Sequence, residues 1–314
     1  MTIVTLTVNP AIDYASTTDE VVPVRKLRTD GERYDPGGGG INAARVVKEL
    51  GGEALAVFAA GGITGPILER LIERAGIRTR EVRIEGNTRL SHVVHERETA
   101  HEFRFTPGGP PLSSAECQAL IDAVAEIDVS WLLASGSLAP AMPLDFYARI
   151  AELGHRNGFR VAVDCAGPPL SLALETGVHI VKPNLRELEH LAGRKARDRD
   201  SQLAVARDLV ERGRAAIVAV TLGAEGALVV DQDSAWMLKS PKVEVRSAVG
   251  AGDSFLGAFV LALSRGQPVD EAFALAVAAG TATALTPGTE LCHRADVDRF
   301  YGQLLPHVQP LLFP

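Results

Sequence analysis

The sequence is poor in cysteine and in aromatic residues, and it contains no long apolar run. Its three cysteines, Cys117, Cys165 and Cys292, lie far apart without metal-ligand spacing, so neither a disulfide framework nor a zinc site is predicted. The first apolar run, Ile3 to Val8, ends at Asn9-Pro10 and is too short for a signal peptide or a membrane span. These absences predict a protein of the reducing cytoplasm.

Two common nucleotide-binding motifs and a basic tract are also absent. A Gly-x-Gly-x-x-Gly motif beginning at Gly250 would need glycine where Phe255 stands, and no Gly-x-x-x-x-Gly-Lys-Ser/Thr occurs. The formal net charge of −7 argues against nucleic-acid and anionic-membrane partners. The sequence therefore disfavours a Rossmann dinucleotide site and a P-loop, and an anionic substrate would need local cations.

Apolar content and an alternation of patterns define the fold class. With 314 residues and 46% hydrophobic content, the chain can form one large α/β domain or two smaller ones. Runs typical of buried strands at 131–134, 159–164, 178–181 and 217–221 alternate with amphipathic patterns near 143–157, 185–192 and 201–212. Repeated strand-helix units predict a mostly parallel sheet. The strand ends, which include Ser135 to Ser137 and Asp164, would meet at its carboxyl edge, where ligands bind.

Gly250-Ala251-Gly252-Asp253 is the motif around which the chain is organised. Apolar residues from Phe255 to Leu263 follow it with helical spacing, so Asp253 is predicted at a helix N-terminus. Free N–H groups and the helix dipole favour an anion such as a polyphosphate there. The alternative is that Asp253 is only the N-cap, which is worth about 1 kcal/mol.

A second glycine run, Gly37 to Gly40, precedes a helix predicted at 41–50. Such a run lets the backbone approach a ligand such as a sugar, although a flexible hinge is the alternative. The first strand is expected to deliver Asp13 to a loop at the sheet edge. A further helix is predicted at 64–75 with Thr64 as its cap, and Ser113-x-x-Glu116 is predicted to be the capping box of another helix. The segment 14–35 lacks helical periodicity and the segment 89–105 alternates between apolar and polar residues, so both are predicted to form short strands that pair with each other, and a lid is one interpretation of them.

Several motifs occur together in a set order. They are Asn9-Pro10-x-x-Asp13, Gly37 to Asn42, Lys182-Pro183-Asn184-x-x-Glu187, Thr221-Leu222-Gly223-x-x-Gly226 and Gly250 to Asp253. In this set the chain resembles the ribokinase-like PfkB sugar kinases over nearly its whole length, and most of all their minor bacterial 6-phosphofructokinase branch. The resemblance implies one three-layer α/β domain over 1–314 with a mostly parallel central sheet, and with the lid segments 14–35 and 89–105 inserted in it.

The resemblance also implies the roles of individual residues. Asp253 is the catalytic base, and Gly250, Ala251 and Gly252 form the anion hole. The sugar phosphate is held by Asp13, Gly38, Gly39, Asn42, Lys26, Arg28, Arg89 and Ser137. ATP is bound by Lys182, Asn184, Thr221, Gly223 and Gly226. Glu187 organises Mg²⁺ through water. A monovalent cation, K⁺, is implied near Ser247, Val249, Thr283, Thr286 and Gly288, although Glu290 stands where relatives often have arginine.

The activity implied is ATP-dependent phosphorylation of fructose 6-phosphate by a homodimer. The 1-phosphofructokinase and tagatose-6-phosphate kinase branches commonly carry lysine at the position of Gly39, and both stay as alternatives. A catalytically silent sugar-phosphate sensor is a further alternative, which the retained Asp253 disfavours. A kinase for adenosine or ribose would not need the cations Lys26, Arg28 and Arg89, because its substrate is neutral.

Overall fold

The computed structural model describes residues 2–311. The strands are β1 (Thr2–Thr7), β2 (Ala11–Thr18), β3 (Asp30–Gly37), β4 (Glu53–Gly61), β5 (Arg78–Ile84), β6 (Arg89–Glu96), β7 (Glu102–Phe105), β8 (Trp131–Ser135), β9 (Arg160–Asp164), β10 (Val178–Val181), β11 (Ala215–Thr221), β12 (Ala227–Val230) and β13 (Ala235–Leu238). The helices are α1 (Gly39–Glu49), α2 (Gly65–Arg74), α3 (Ser114–Ala125), α4 (Phe146–Asn157), α5 (Pro168–Thr176), α6 (Leu185–Ala192), α7 (Arg199–Glu211), α8 (Ala251–Ser264), α9 (Val269–Thr283) and α10 (Arg294–Leu304).

The strands form a large sheet and a small one. The large sheet has nine strands in the order β13-β12-β11-β10-β9-β8-β1-β4-β5, and neighbours from β11 to β5 are parallel. β12 and β13 extend its edge in antiparallel fashion. The small sheet has the order β3-β2-β6-β7 and is built from the two segments predicted as a lid. The predicted α/β class with a mostly parallel sheet and a small strand lid is confirmed.

Helices cover both faces of the large sheet because its strands are apolar on both sides. In β8, Trp131 and Leu133 join the core under α1, α8, α9 and α10, whereas Leu132 and Ala134 join the core under α3, α4 and α5. Side chains that alternate along a strand point to opposite faces. A strand buried on both faces therefore reads as a continuous apolar run, and the run at 131–134 predicted β8 for this reason.

The chain reverses its direction of travel through the sheet between β1 and β8. From β1 it moves outward through β4 to β5, then returns to the other side of β1 and continues through β8, β9, β10 and β11. Ligands of open α/β sheets bind in the crevice that such a reversal leaves at the carboxyl ends of the strands. The topology therefore places the ends of β1 and β8 at a ligand crevice.

Local predictions had mixed outcomes. Ser113 and Glu116 form the predicted capping box of α3. Thr64 occupies the predicted N-cap position of α2, but the prediction that its side chain caps the helix was wrong, because its hydroxyl donates to the Thr88 carbonyl oxygen at 2.7 Å instead. The prediction that Asp13 lies in a loop was also wrong, since it lies within β2, paired with Asp35 of β3 and Ser91 of β6. The small sheet begins at Ala11, directly after Asn9-Pro10, whereas its first segment was predicted to begin at residue 14.

The cysteines and helices of the described residues add two facts. Cys117, Cys165 and Cys292 are buried and have free thiols. Within residues 2–311, no helix combines the length and the apolar character needed to cross a membrane.

Candidate active site

The start of α8 forms an anion-binding turn. Gly250 occupies the N-cap position with φ 74°, a left-handed conformation that favours glycine. Asp253 is therefore the third residue of the helix and not its cap, and the interpretation of Asp253 as a mere N-cap is wrong. The first N–H groups of a helix have no acceptor within the helix and carry its partial positive charge. This arrangement holds a carboxylate beside a site that attracts negative charge.

The carboxylate of Asp253 is held by Asn42, which lies in the first turn of α1. Asn42 Nδ2 donates to Asp253 Oδ2 at 2.9 Å. Burial, together with the nearby Asp164 carboxylate, raises the pKa of Asp253 to about 7, while Asn42 and Lys182 oppose that rise. A carboxylate with a pKa near the working pH is suited to accept a proton from a substrate hydroxyl.

Lys182 is the cation of the site. Its side chain is only 6% exposed, and Nζ lies 3.1 Å from Asp164 Oδ2. Burial acts to lower the pKa of Lys182, but the charges of Asp164, Asp253 and Glu187 outweigh it, and the pKa is raised. A Cβ atom on Gly252 would lie 3.2 Å from Nζ, so the ammonium lies directly beneath the start of α8. Lys182 therefore remains charged where a phosphate group would meet α8.

Asn184 and Glu187 form a capping box at the start of α6. Asn184 Oδ1 accepts from the Glu187 amide at 3.0 Å, and Glu187 Oε2 accepts from the Asn184 amide at 2.9 Å. Burial raises the pKa of Glu187, and Asp164 adds to this effect. The pair thus has a structural role, and it also brings a second carboxylate close to Asp164 and Lys182.

Gly39 lies where α1, β8 and α8 meet. A Cβ atom at Gly39 would lie 2.1 Å from Ser135 Oγ, 2.9 Å from Ser135 Cβ and 3.1 Å from Asp253 Oδ1. Contacts this short leave no space for a side chain. Ser135 is the last residue of β8 and is only 2% exposed. Its hydroxyl oxygen lies 3.5 Å from Asp164 Oδ2. The glycine thus allows α1 to approach the carboxyl edge of the sheet.

Asp13 lies on the face of the small sheet that meets α1. Burial raises its pKa to about 6, although the positive charges of Arg45 and Arg89 oppose the rise. A Cβ atom on Gly37 would lie 2.2 Å from Asp13 Oδ2, so the glycine run packs against this carboxylate. Asp13 and Asp253 thus approach the glycine run from the small sheet and from α8.

Arg89 is the first residue of β6, and its side chain stabilises the turn at Asn9-Pro10 that leads into the small sheet. Its guanidinium donates to the carbonyl oxygens of Asn9 at 2.8 Å, Pro107 at 2.9 Å and Pro10 at 3.3 Å. Asn9 in turn donates to the Gly108 carbonyl at 3.0 Å. A guanidinium has more N–H groups than these bonds use, so Arg89 keeps donors for an anion.

The other residues predicted to hold the sugar phosphate are more scattered. Lys26 and Arg28 lie in the exposed segment between β2 and β3. Among residues 2–311, no hydrogen bond or ion pair joins their side chains to Asp13, Arg89 or Asp253. Ser137 is exposed, and its hydroxyl lies 3.5 Å from Asn9 Nδ2. The chain thus brings together Asp13, Gly39, Asn42 and Arg89 but not Lys26 and Arg28.

A cleft of about 760 Å³ opens on the other side of α8. It is lined by Asn184, Thr221, Gly223, Gly226, Ala251, Gly252, Phe255 and Val277, together with residues 240–243 and Val245. The residues predicted to bind the nucleotide therefore share one cleft, with the exception of Lys182, which lies beneath Gly252. The cleft ends at the turn that carries Asp253.

The predicted cation loop folds over the start of α8. Thr286 Oγ1 donates to the carbonyl oxygens of Thr283 at 2.8 Å and Glu290 at 2.7 Å. Ser247 Oγ accepts from the Val249 amide at 3.2 Å. Gly288 lies between Thr286 and Glu290 in the sequence and has φ 60°. The carboxylate of Glu290 forms an ion pair with Arg33 at 2.7 Å, which joins the loop to β3.

Asp164 and Ser135 are functional candidates to which the sequence reasoning assigned no role. Both were recognised as ends of predicted strands, and this position was the available signal. Asp164 contacts Lys182 and raises the pKa of Asp253, and Ser135 contacts Asp164. In the described part of the chain, no group of three or more His, Cys, Asp or Glu side chains is arranged to hold a metal ion directly.

A comparison of the sequence with models of known protein families identifies the family of the chain. The model of the pfkB family carbohydrate kinases matches residues 5–296. The chain belongs to this family. A pfkB relative from Mycobacterium tuberculosis, named ATP-dependent 6-phosphofructokinase isozyme 2, is 41% identical over 95% of this chain and 88% of its own. A 1-phosphofructokinase of Bacillus subtilis is 30% identical over 98% of each chain.

Solved pfkB structures agree with the fold. Phosphofructokinase-2 from Escherichia coli in complex with fructose-6-phosphate has a TM-score of 0.91 and 36% identity, covering 96% of this chain and 98% of that chain. The same protein in complex with potassium gives a TM-score of 0.93 and 37% identity, covering 97% and 99%. The predicted family and the predicted enzyme class, a sugar kinase, are confirmed.

Proposed function

We propose that this pfkB kinase uses ATP to convert fructose 6-phosphate to fructose 1,6-bisphosphate. The observation that carries the proposal is the position of Asp253, which lies between the cleft beside α8 and the sugar side formed by Asn42 and Asp13. The names of the relatives with the higher identities support the same acceptor. Phosphoryl transfer needs in-line positioning and neutralisation of charge, and both sides of α8 supply these.

The proposed mechanism starts with proton transfer. Asp253 accepts the proton of the sugar hydroxyl as that oxygen attacks the terminal phosphorus atom of ATP, while the bond from this phosphorus to the bridging oxygen breaks and ADP leaves. The N–H groups of Gly250, Ala251 and Gly252 face the phosphoryl group in transfer and stabilise its charge. Lys182 lies beneath the same turn and adds a positive charge. The cost of burying this cation is offset by Asp164, with which it forms an ion pair.

The cleft fits an adenine nucleotide, and the carboxylates beside it fit a divalent cation. Asn184, Thr221, Gly223 and Gly226 would line the nucleotide. Oxygen donors are the ligands that Mg²⁺ prefers, and it usually keeps several waters. Glu187, with Asp164 and Asn184, would hold these waters. When bound, Mg²⁺ neutralises the charge of the triphosphate.

The sugar side is assigned to the face of the small sheet that carries Asp13. Asp13, Asn42 and the backbone of Gly38 and Gly39 would bind the sugar hydroxyls. Arg89 would bind the remote phosphate with the donors that its backbone contacts leave over. Lys26, Arg28 and Ser137 remain proposed contacts of the same phosphate. Gly39 favours this substrate, because the lysine of the 1-phosphofructokinase and tagatose-6-phosphate kinase branches would have no space here.

The loop that holds Thr286 is proposed to bind K⁺. Its carbonyl and hydroxyl oxygens are drawn together by the bonds of Thr286. The residues assigned to the cation are Ser247, Val249, Thr283, Thr286 and Gly288. The potassium complex of the E. coli protein supports the assignment. Glu290 forms an ion pair with Arg33, which reduces the negative charge that Glu290 adds to the loop.

The test of the acceptor is a kinase assay over fructose 6-phosphate, fructose 1-phosphate, tagatose 6-phosphate, fructose, ribose and adenosine with ATP and Mg²⁺. We expect the highest kcat/KM for fructose 6-phosphate. Arg89→Ala is the control for the phosphate contact, and we expect it to raise KM for the sugar phosphate by about 10- to 100-fold, since a charge-assisted contact contributes about 1.5 to 3 kcal/mol. A preference for another acceptor in the wild-type protein would refute the assignment.

A homodimer through the outer face of the small sheet is also expected. A row of rings crosses all its strands: Tyr34, Tyr14, His92 and Phe105 lie 4.9, 4.6 and 6.2 Å apart between successive ring centroids. Tyr34 is 53% exposed and Phe105 58% exposed. Such apolar exposure on a sheet marks an interaction surface.

Light scattering should therefore give twice the mass of one chain at assay concentrations. Phe105→Glu should shift the protein toward the monomer, because it would bury a charge in the contact. Leu144→Glu, at an exposed leucine between β8 and α4, is the matched control and should leave the mass unchanged. A fully active wild-type monomer would contradict the dimer.

A further inference from the structure

Arg45 lies on α1, one turn after Asn42, and its side chain is only 13% exposed. Its guanidinium donates to the Pro36 carbonyl oxygen at 3.2 Å, to Asn42 Oδ1 at 3.3 Å and to Asp35 Oδ1 at 3.4 Å. Neither the motifs nor the proposed mechanism gives Arg45 a role. We propose that Arg45 is a positioning residue, which fixes the side-chain amide of Asn42 so that its amino group faces Asp253. The inference rests on the proposed role of Asp253 as the base.

The argument follows from the chemistry of the amide. An asparagine side chain accepts hydrogen bonds at Oδ1 and donates them at Nδ2, whereas a guanidinium only donates. The end of Asn42 that faces Arg45 must therefore be Oδ1, and Nδ2 is left to face Asp253 Oδ2 at 2.9 Å. The hydrogen-bond partners thus settle which end of the amide is which.

Loss of Arg45 would remove one of the two partners that orient the amide and would leave the Asp253 carboxylate to orient it alone. The Asn42 amide could then turn over and place Oδ1 against the Asp253 carboxylate, which would replace attraction by repulsion. Nδ2 carries a second hydrogen, which in the observed orientation stays available for a sugar hydroxyl. Arg45 therefore acts on both the base and the substrate through one amide.

Arg45 is itself held in place from the small sheet. Asp35, which is 7% exposed, accepts from Arg45, from Thr289 Oγ1 at 2.6 Å and from Arg33 Nε at 2.7 Å. The bonds of Arg33 run to Asp35 and Glu290. Arg33 and Arg45 thus both form ion pairs with Asp35, but within residues 2–311 the hydrogen bonds of Arg33 do not include Asn42. The two arginines are a matched pair for an experiment.

The charged groups around Asp253 and Arg45 determine which protonation steps a pH profile of activity would report. The charged groups that face Asp253 are Asp164 on β9, Lys182 after β10 and Asp13 on β2. Those that face Arg45 are Asp35 and Arg33 on β3, Asp13 on β2, and Glu290. Among the charges near Asp13, Arg45 has the largest effect in lowering the pKa. Removal of Arg45 therefore favours the protonated forms of Asp13 directly and of Asp253 through Asn42.

The experiment compares Arg45→Gln with Arg33→Gln. Both remove one cation from Asp35, but only Arg45→Gln frees the Asn42 amide. For Arg45→Gln we expect kcat to fall by about 10- to 100-fold, the range of a misplaced catalytic group, and the acidic limb of kcat/KM to move to higher pH by about one unit. Because Arg33 also pairs with Glu290 of the proposed cation loop, both variants are assayed at saturating K⁺, and Arg33→Gln should then leave the acidic limb in place.

A second readout does not depend on the substrate. The pKa of Asp253 can be followed by carboxyl ¹³C NMR of aspartate-labelled protein, with Asp253→Asn used to assign the signal. We expect this pKa to rise in Arg45→Gln and to stay in Arg33→Gln. If the acceptor proposal failed, this titration would still test Arg45. If it gave no rise, the positioning role would be lost whatever the substrate.

Two further outcomes would overturn the proposal. One is equal loss of kcat in both variants with equal loss of thermal stability, which would reduce Arg45 to a structural partner of Asp35. The other is unchanged kcat in Arg45→Gln. Should Arg45→Gln fail to fold, Arg45→Lys carries the test. It keeps a cation beside Asp35 but offers a single donor group, so its kcat should fall while its melting temperature stays near that of the wild type.

Discussion

Asp253→Asn is expected to lower kcat by about 10²- to 10⁴-fold, because it removes the base and keeps the shape of the side chain. The N-cap of α8 is Gly250, so the helix keeps its first turn. For the wild-type enzyme, burial raises the pKa of Asp253 to about 7, and activity should therefore rise with pH through that value. A steady-state kinase assay over pH 5 to 9 measures both effects.

The same substitution should not reduce stability. When folding raises the pKa of a carboxyl group, the free energy of unfolding decreases as the pH increases from the unfolded-state pKa to the folded-state pKa. Asp253 is such a group, so Asp253→Asn should melt at the same or a higher temperature above pH 7, and the difference should vanish toward pH 4. Asp128→Asn, at an exposed loop position, is the control. A variant that kept more than about a tenth of the wild-type kcat would remove Asp253 from the role of base.

Gly39→Ala should be strongly damaging for a change that adds one methyl group. The new Cβ atom would lie 2.1 Å from Ser135 Oγ and 2.9 Å from Ser135 Cβ, so α1 and the end of β8 must separate. Overpacking of this kind costs about 1 to 3 kcal/mol. A displacement of about 1 Å in the site costs about 10²-fold in rate. We therefore expect kcat/KM to fall by at least that factor.

A double mutant tests whether the Ser135 contact is the cause. Ser135→Gly removes Oγ and changes the crowded Cβ position, which are the two closest contacts, and leaves Asp253 Oδ1 at 3.1 Å, so Gly39→Ala combined with Ser135→Gly should recover much of the lost stability and activity relative to Gly39→Ala. Gly302→Ala on α10 is the matched control, because a Cβ atom there meets nothing within 4 Å. It should be neutral or slightly stabilising. Equal damage from Gly302→Ala, or no recovery in the double mutant, would contradict the packing argument.

Local sequence patterns predicted the elements whose signals are local. The apolar run of β8 and the capping box of α3 depend on neighbouring residues, and both were predicted from the sequence. Asp253 was placed at the start of α8 for the same reason. Its hydrogen bond with Asn42 joins positions 211 residues apart and has no local signal.

The misses share this physical origin. Thr64 has the composition of a cap, but tertiary contact with the Thr88 carbonyl takes its hydroxyl. Asp13 was expected in a loop, but pairing with β3 and β6, both distant along the chain, makes its segment a strand. Asp164 was recognised only as a strand end, because its partner Lys182 comes from the next strand of the sheet. The resemblance to a family added residue roles that neither composition nor periodicity could supply.

The contact between Arg33 and Glu290 has a thermodynamic consequence for the proposed enzyme. It joins β3 of the small sheet to the loop whose oxygens Thr286 draws together. If a cation bound in that loop strengthens binding of the sugar phosphate by some factor, the sugar phosphate must strengthen binding of the cation by the same factor. Titration of K⁺ with and without sugar phosphate, and of sugar phosphate with and without K⁺, would therefore measure a single coupling free energy by two routes.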